Sequence, residues 1–270
     1  MKKLIYIFVI AITFTSCGEY QKALRSEDIS VKFKMGTDLY DAGKFGKANR
    51  LFVQIVPKYR GKPQAEKLMY MYSKTFYEMR EFYNSNYQME RFVNAYPNSE
   101  KVEEIAFLAV KSYYHIPPAY SKEQKETIDA IEKLQGFING FPESSYLVEA
   151  NTMVKELDFR LEKKAYEIAK QYHTIAPHNR DYDAAIKAFE NFIFDFPGTS
   201  FREDAMFYRL DSAYQLAINS VEYKKEERIK NAVAFYNLFK SRFKESSYTE
   251  EINKMNDELI ELQKQFNTKS

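Results

Sequence analysis

A single cysteine, Cys17, is the residue with the clearest chemistry in this chain of 270 residues. It follows a short basic head, residues 1–3, an apolar run from Leu4 to Phe14 and two small residues. This order is typical of a bacterial secretory signal, and the apolar run is too short to span a bilayer as a stable helix. A lone thiol can form neither an intramolecular disulfide nor a cysteine metal cluster. We therefore expect Cys17 to be used at the signal boundary.

The end of this segment resembles a bacterial lipoprotein signal, in which small residues precede the modified cysteine. Thr15, Ser16 and Cys17 match those positions, whereas Phe14 stands where leucine is usual. The resemblance implies cleavage before Cys17, a diacylglyceryl thioether on its sulfur and an acylated amine. At about 0.8 kcal/mol per buried methylene, three acyl chains hold a protein on a membrane essentially permanently. The alternative is an ordinary signal that is removed, with a free thiol nearby.

The other residues that could do chemistry do not form a recognisable catalytic or metal site in the sequence. The three histidines are His115, His173 and His178, and the last two are five residues apart across a predicted helix break at Pro177. This spacing does not place two imidazoles on one helical face, as a helical zinc motif requires. The sequence has no Gly-rich phosphate loop and no Gly-x-Ser-x-Gly elbow, and its carboxylates are scattered. We therefore predict that the protein is not an enzyme and needs no metal or other cofactor.

Aromatic residues are the best candidates for binding a ligand. A shift of 37 residues superposes an aromatic residue in the predicted first helices of the first three helix pairs, and a tyrosine seven residues after each one lies on the same helical face. These six residues are Phe33, Tyr40, Tyr70, Tyr77, Phe107 and Tyr114. Tyrosine offers apolar area with a polar tip, which suits a groove that binds an extended apolar peptide. The alternative is that the rings only pack helix on helix, and Leu39, Phe76 and Tyr113 beside them are better core candidates.

The helices that position these rings are predicted from a sequence motif that recurs along the chain. From Phe192 to Ser200 the motif consists of an aromatic residue, three further residues, a second aromatic, a proline and hydroxyl residues. Similar copies have their proline at Pro97 and Pro142, and weaker copies have Arg60 and Lys244 in its place. The five anchors are separated by 37, 45, 55 and 47 residues. Internal periods in this range indicate stacked, tetratricopeptide-like helix pairs.

Each copy also has a small residue twelve positions before the anchor and a large one eight positions before it, on the same helical face as the aromatic pair. The small residues are Ala48, Ser85, Ala130, Ala185 and Ala232, and the large ones are Phe52, Met89, Leu134, Phe189 and Tyr236. The proline ends this helix because it disfavours the α conformation of the residue before it. The hydroxyl residue after it can cap the next helix, and Ser200 with Glu203 and Ser247 with Glu250 have the spacing of a capping box.

These patterns predict an all-α protein: a tetratricopeptide-like, right-handed superhelix of about five helix-turn-helix repeats with a polar C-terminal capping helix. We expect the fourth unit to contain one long helix from Ser144 to about Ala176, which accounts for the largest separation. The predicted boundaries are a lipoprotein signal over 1–16, a flexible tether over 17–29, and a repeat domain over 30–267 with units 30–60, 63–97, 99–142, 144–197 and 200–244 and a capping helix 247–266.

Composition agrees with a helical array and limits the class of partner. Gly and Pro number only 8 each, whereas Tyr and Phe number 22 each, a combination that favours helices over sheets. Without Lys2 and Lys3 of the signal, the 40 basic residues fall to 38 and balance the 38 acidic ones. A neutral mature chain argues against a nucleic-acid partner, which would need an excess of basic residues.

Taken together, these features resemble the BamD family, the lipoproteins of the β-barrel assembly machinery of Gram-negative outer membranes. The features are Thr15-Ser16-Cys17, the helix-pair repeats from about Val31 to Phe243 and the aromatic-Pro-x-Ser motifs. The resemblance implies a lipid anchor in the inner leaflet of the outer membrane and a body in the periplasm. It also implies that later repeats bind the periplasmic domains of BamA and that earlier repeats receive unfolded outer-membrane proteins, including their aromatic-ended C-terminal strand. The long fourth unit and Lys244 depart from the family pattern.

The favoured function is a non-enzymatic scaffold and substrate receptor of that machinery, anchored in the outer membrane and facing the periplasm. Gly18 after Cys17 agrees with this location, because an Asp there can retain lipoproteins in the inner membrane of some bacteria. One alternative is another periplasmic tetratricopeptide lipoprotein, active in cell-envelope upkeep or cell division. A second is a glycan-binding surface lipoprotein, which the absence of Trp disfavours because sugars stack on exposed aromatic rings.

Overall fold

The computed structural model describes residues 18–267, and every regular element within that range is a helix. The all-α prediction is therefore confirmed. The chain divides into two compact units, the first ending at Leu157 and the second beginning at Asp158. None of the described helices combines the length and the hydropathy needed to cross a membrane.

The first unit contains consecutive helix pairs, and each of the helices between residues 29 and 140 packs against the next. Its helices are α1 (residues 18–25), α2 (Ile29–Asp41), α3 (Phe45–Ile55), α4 (Ala65–Glu78), α5 (Phe82–Ala95), α6 (Val102–Tyr114), α7 (Lys125–Gly140) and the first part of α8 (Leu147–Asn179). A 3₁₀ turn, Val56–Tyr59, follows α3. The second unit contains the rest of α8 with α9 (Tyr182–Asp195), α10 (Arg202–Ile218), α11 (Glu222–Arg242) and α12 (Thr249–Asn267).

The second helix of each pair buries the helical face that the recurring sequence motif predicts to be buried. The small and large residues at the two fixed offsets are buried in all five copies. The aromatic residue that follows them is equally buried at Phe92, Phe137, Phe192 and Phe239, and Ile55 occupies this position in the first copy. These residues therefore form the core that repeats along the chain.

The turn between successive pairs is held by the hydroxyl residue two positions after the anchor. Its oxygen accepts a hydrogen bond from the backbone N–H two residues later, at 3.0 to 3.1 Å, in four consecutive turns. The four hydroxyl residues are Ser99, Ser144, Thr199 and Ser246. The predicted capping box at Ser200 is wrong, because α10 begins only at Arg202 with Phe201 as its N-cap. The box predicted at Ser247 is also wrong, because Ser246 makes the bond and α12 begins at Thr249.

In three of the four turns, the residue that donates this N–H is aromatic, and its ring packs on the first helix of the preceding pair. Tyr146 stacks on Phe107 with ring centroids 4.3 Å apart, and Tyr248 stacks on Phe207 at 3.9 Å. Phe201 stacks on Tyr166 of α8 at 4.7 Å. Offset stacking of this kind contributes about 0.5–1.5 kcal/mol beyond the area it buries. We call these three contacts the junction stacks.

The N-terminal lead-in is ordered, which corrects the prediction of a flexible tether over 17–29. Residues 18–25 form α1, and its Tyr20 and Ala23 are buried against the core of the first unit. Together with Leu24 they have the i, i+3, i+4 spacing of one helical face, which the charged residues around them conceal. Cys17 and the predicted signal lie outside the described residues.

Helix α8 has the predicted length of 33 residues but lies three residues later in the chain than predicted, beginning at Leu147. It continues through Pro177 to Asn179, so the helix break predicted at Pro177 is wrong. A proline in the last turn removes only one hydrogen bond, the one to the carbonyl of His173, because the helix ends two residues later. Arg180 then adopts a left-handed conformation with φ 60 and leads into α9.

The space around two helical glycines predicts opposite effects of replacing them with alanine. A Cβ at Gly36 would lie 2.5 Å from the ring of the fully buried Phe52, whereas a Cβ at Gly136 of α7 meets nothing within 4 Å. We expect Gly36→Ala to lower the free energy of unfolding by about 1–3 kcal/mol through overpacking. Gly136→Ala should instead raise it by up to about 1 kcal/mol, since Ala favours the helix. Urea unfolding followed by circular dichroism measures both, and a stabilised Gly36→Ala variant would contradict the packing described here.

Candidate functional site

The six predicted groove residues, which we call the ladder, lie on α2, α4 and α6 but differ in environment. Phe107 is only 3% exposed and packs between Tyr146 and Phe137, so it belongs to the core and the prediction that it lines a groove is wrong. The junction stack that buries it involves a residue 39 positions later, which the helical period of α6 could not reveal. The other five residues are partly buried. Phe33 stacks on Tyr59 at 5.4 Å.

Tyr70 belongs to a polar cluster on the first helices of the second and third pairs. Its hydroxyl donates to Glu104 at 3.0 Å, and the Lys74 ammonium contacts the same carboxylate at 2.7 Å. Burial acts to raise the pKa of Glu104, but hydrogen bonds from Lys74 and Tyr70 outweigh it and hold the pKa below its ordinary value. Burial raises the pKa of nearby Tyr40 to about 12, although Lys74 acts in the opposite direction. The cluster is thus internally satisfied at neutral pH.

The same arrangement recurs one pair further along. Lys111, four residues after Phe107, forms an ion pair with Glu149 at 2.6 Å. The Tyr114 hydroxyl donates to Glu156. Burial raises the pKa of Tyr77, which lies near both Lys111 and Glu149. The ladder of the first unit therefore alternates partly buried rings with lysine–glutamate pairs, and its charges largely cancel.

The ladder pattern also occurs in the second unit, where sequence reasoning missed it. Tyr166 and His173 of α8 are seven residues apart, as are Phe207 and Tyr214 of α10. The Tyr214 hydroxyl donates to Glu258, and burial raises the pKa of Tyr214 to about 12. The seven-residue spacing within each helix could have revealed these residues in the sequence. The 37-residue shift did not, because the long helix α8 increases the separation between successive repeats.

His173 takes the place of a ladder tyrosine and lies beside a serine and an aspartate. Its Nδ1 is 3.0 Å from Ser212 Oγ and its Nε2 is 3.3 Å from Asp211 Oδ2. Burial lowers the pKa of His173 and raises that of Asp211. Ser212 is fully buried and its hydroxyl donates to the Tyr208 carbonyl at 2.7 Å, so it is not accessible as a nucleophile. This arrangement is structural.

Metal ligation finds no support in the part of the chain that the structure describes. Over residues 18–267, no three His, Cys, Asp or Glu side chains are grouped so that they could hold an ion. The two histidines for which a zinc motif was considered, His173 and His178, both lie on α8, and His173 is already engaged by Asp211 and Ser212.

A cavity of about 390 Å³ in the first unit is a second candidate site, which sequence reasoning missed. Residues from the ends of α3 and α5 and from the start of α4 form it. Its apolar walls include Val56, Leu68, Met69 and Tyr96, and its cationic groups are Arg60 and Arg91. The residues are too far apart in the sequence to form a motif. The one available signal was Arg60, which stands at the anchor position that proline occupies in three other copies.

The cluster around Glu104 predicts a pH-dependent contribution to stability. Since its pKa is lowered in the folded state, the stabilisation is present above the ordinary pKa and is lost as the pH falls through the folded value. Glu104→Gln should therefore lower the free energy of unfolding by about 1 kcal/mol at pH 7 and by less at pH 4. Asp129→Asn is the control, because its pair with Lys125 has the same 2.7 Å length but is exposed, and exposed pairs contribute little. Urea unfolding at both pH values measures the effects; equal losses at pH 7 and pH 4 would refute the assignment.

Comparison with known proteins identifies the family. The family model described as YfiO, outer membrane lipoprotein, matches residues 26–178. Outer membrane protein assembly factor BamD of Rickettsia prowazekii is 25% identical over 191 residues, which are 70% of this chain and 73% of that protein. A protein of Aquifex aeolicus, provisionally given the same name, is 23% identical over 218 residues, 80% of this chain and 70% of that protein.

A solved structure, the TPR2AB domain of yeast Sti1 in complex with pHSP90, is 13% identical with a TM-score of 0.40 and covers 86% of this chain and 98% of its own. The family model, by contrast, covers more than half of the chain and includes the ladder and the cavity of the first unit. The chain therefore belongs to the BamD (YfiO) family of outer membrane lipoproteins.

Proposed function

We propose that this protein is a non-enzymatic outer membrane protein assembly factor. The observation that carries the proposal is the match to relatives of that name over 70% and 80% of the chain. The protein would act as a lipid-anchored scaffold facing the periplasm, with its earlier repeats receiving unfolded outer-membrane proteins. Its later repeats would bind the periplasmic domains of a BamA partner, an assignment supported by the family resemblance.

The cavity of the first unit has the chemistry that an aromatic-ended C-terminal segment needs. Such a segment ends in a ring and a carboxylate. Val56 and Met69 provide apolar contacts for the ring, and the guanidinium groups of Arg60 and Arg91 suit the carboxylate, which arginine can bind through two parallel hydrogen bonds. A volume of about 390 Å³ lies within the range of small-molecule sites. We therefore place the receptor for the segment's end in this cavity.

The ladder is the alternative binding surface within the same function. Tyr40 and Tyr77 remain partly exposed and lie beside the lysine–glutamate pairs. A ligand that used Tyr70, however, would have to displace its bond to Glu104 at 3.0 Å. Breaking a satisfied bond offsets the gain from making a new one. A ligand of the cavity would likewise have to displace the 3.0 Å bond from Arg91 to Gln88, so the experiment below distinguishes the two surfaces.

We expect a fluorescent peptide that ends in phenylalanine to bind the mature chain in an anisotropy titration. Arg60→Gln combined with Arg91→Gln should weaken binding tenfold or more, about 1.4 kcal/mol, because both carboxylate partners are lost. Amidation of the peptide's C-terminus should have a similar effect on the wild-type protein. Lys230→Gln with Lys244→Gln is the charge-matched control, since both lysines are exposed in the second unit and should leave affinity unchanged.

Tyr40→Phe with Tyr77→Phe tests the ladder in the same titration. Affinity should be unchanged, because the cavity does not include either hydroxyl. Weakening by these changes, with no effect of the arginine changes, would move the site to the ladder. Absence of binding to any aromatic-ended peptide would argue against the receptor role altogether.

Membrane attachment is tested at Cys17. We expect Cys17→Ser to release the protein from the membrane to the soluble periplasmic fraction, because no acyl chains can then be attached to the sulfur. Mass spectrometry of the wild-type protein should show the acylated cysteine as its first residue. A Cys17→Ser variant that remains membrane-bound would contradict the lipid anchor.

A further inference from the structure

The first unit contains another cavity, of about 330 Å³, beside the one already described. We call the cavity that contains Arg60 and Arg91 the first cavity and this one the second cavity. Residues of α5, α6 and α7 form the second cavity, and most of them are apolar. The apolar residues are Val93, Ala106, Ala109, Val110, Phe137 and Phe141. Their predominance suits an apolar ligand group.

The charged side chains of the second cavity already neutralise each other. The Lys133 ammonium lies 2.6 Å from the Glu90 carboxylate. The Tyr113 hydroxyl donates to the same carboxylate at 3.1 Å. Because an ammonium paired with a carboxylate carries no net charge, the second cavity does not favour an ionised ligand group.

The repeat itself does not dictate this apolar lining. A cavity of about 430 Å³ lies at the equivalent place in the second unit, between α9, α10 and α11. Five charged residues contribute to it: Asp183, Glu190, Lys224, Glu227 and Arg228. The apolar second cavity is therefore a feature of its own residues and not of the helix arrangement.

Asn94 of α5 links the first and second cavities, because it lines both. At about 100° per residue around the helix, it lies between Arg91, which lines the first cavity, and Glu90, which lines the second. Asn94 is exposed, and its side-chain amide makes no hydrogen bond with the part of the chain that the structure describes. This amide can both donate to and accept from the backbone of a bound peptide.

We propose that the second cavity binds an apolar side chain that precedes the aromatic end of the peptide, an inference that rests on the proposed function. The terminal ring and carboxylate occupy the first cavity. The peptide backbone then crosses α5 in an extended conformation and pairs with the side-chain amide of Asn94. The second cavity thus extends the receptor site and adds a preference for an apolar residue upstream of the peptide's end.

The width of α5 indicates which residue of the peptide reaches the second cavity. An α-helix with its side chains is about 10–12 Å across. An extended chain advances about 3.3 Å per residue, and its side chains alternate between two sides. Four residues span about 13 Å and return the side chain to the same side as the terminal ring, whereas three residues leave it on the opposite side. We therefore assign the second cavity to the residue four positions before the end.

Gly136 of α7 provides a means of closing the second cavity. It lines the cavity, and a Cβ at this position would meet nothing within 4 Å. A leucine side chain at position 136 would therefore fill space that the ligand needs. Gly140 is also an exposed glycine of α7 whose Cβ would meet nothing within 4 Å, but it is not among the residues that line the second cavity. Gly140→Leu is thus the matched control for Gly136→Leu.

The first test is an anisotropy titration of the mature chain with three fluorescent peptides that end in phenylalanine. One has leucine four positions before the end, one has leucine three positions before the end, and one has serine at both positions. The wild-type protein should bind the first peptide about tenfold more tightly than the other two, because only its leucine is buried. Gly136→Leu should reduce this preference to about twofold or less and leave affinity for the serine peptide unchanged. Gly140→Leu should retain the full preference.

The second test is Asn94→Ala in the same titration. This change should weaken binding of the first peptide and of the serine peptide by the same factor, about fivefold, because the backbone of both loses the amide. Asn98→Ala, at an exposed residue of the turn after α5 that lines neither cavity, is the control and should have no effect. Circular dichroism checks that each variant keeps its helix content.

The outcomes separate this inference from the proposed function. A preference that survives Gly136→Leu, or that favours leucine three positions before the end, would overturn the assignment of the second cavity. Unchanged affinity in Asn94→Ala would overturn the crossing at α5. Equal binding of all three peptides to the wild-type protein would also overturn the inference, but it would leave the receptor role of the first cavity standing. Absence of binding by every peptide would remove the proposed receptor role as well.

Discussion

The stacking of one ring on another at the junction between helix pairs is the contact on which the rest of this structure depends. A single helix pair cannot bury its apolar face alone, and neighbouring pairs must therefore be fixed relative to each other. Tyr146 on Phe107 and Tyr248 on Phe207 provide this fixed contact, at 4.3 and 3.9 Å. The bonds from Ser144 and Ser246 to the backbone N–H groups of those tyrosines hold the rings in place. The same residue thus forms both the turn and the stack, and it stands four positions after the anchor in each case.

The second helices were predictable because their determinants are local. A proline, a hydroxyl residue two positions later and a small–large pair at fixed offsets all lie within fifteen residues of each other. The first helices were harder, because each contacts residues from a different pair. Phe107 and Tyr70 occupy the same place in the period, yet Phe107 is covered by Tyr146, whereas the equivalent residue beside Tyr70 is Lys101, whose ammonium lies 5.6 Å from the ring centre. Periodicity showed that these residues share a face but not what covers that face.

The features that were missed share a physical cause, which is that tertiary contacts decide them. Helix α1 is short and polar, and it is ordered because Tyr20 and Ala23 find a place in the core of the first unit. The cavity is formed by the ends of several helices, so its two arginines, Arg60 and Arg91, have no diagnostic spacing. One of its residues nevertheless stands at a repeated position. Arg60 replaces proline at the first anchor, and its side chain is exposed at the edge of the cavity.

The length of α8 is itself constrained by helix geometry. Phe107 and Phe207 stand eight residues after Ser99 and Thr199, whereas Tyr166 stands 22 residues after Ser144, a difference of 14. At about 3.6 residues per turn, 14 residues are close to four whole turns, so Tyr166 lies on nearly the same side of α8 as the position eight residues after Ser144. An insertion of two residues fewer would rotate the ring by about 200° and bury the wrong face against α9. An insertion near a whole number of turns therefore keeps Tyr166 on the face that packs with Phe189 and Phe192 of α9.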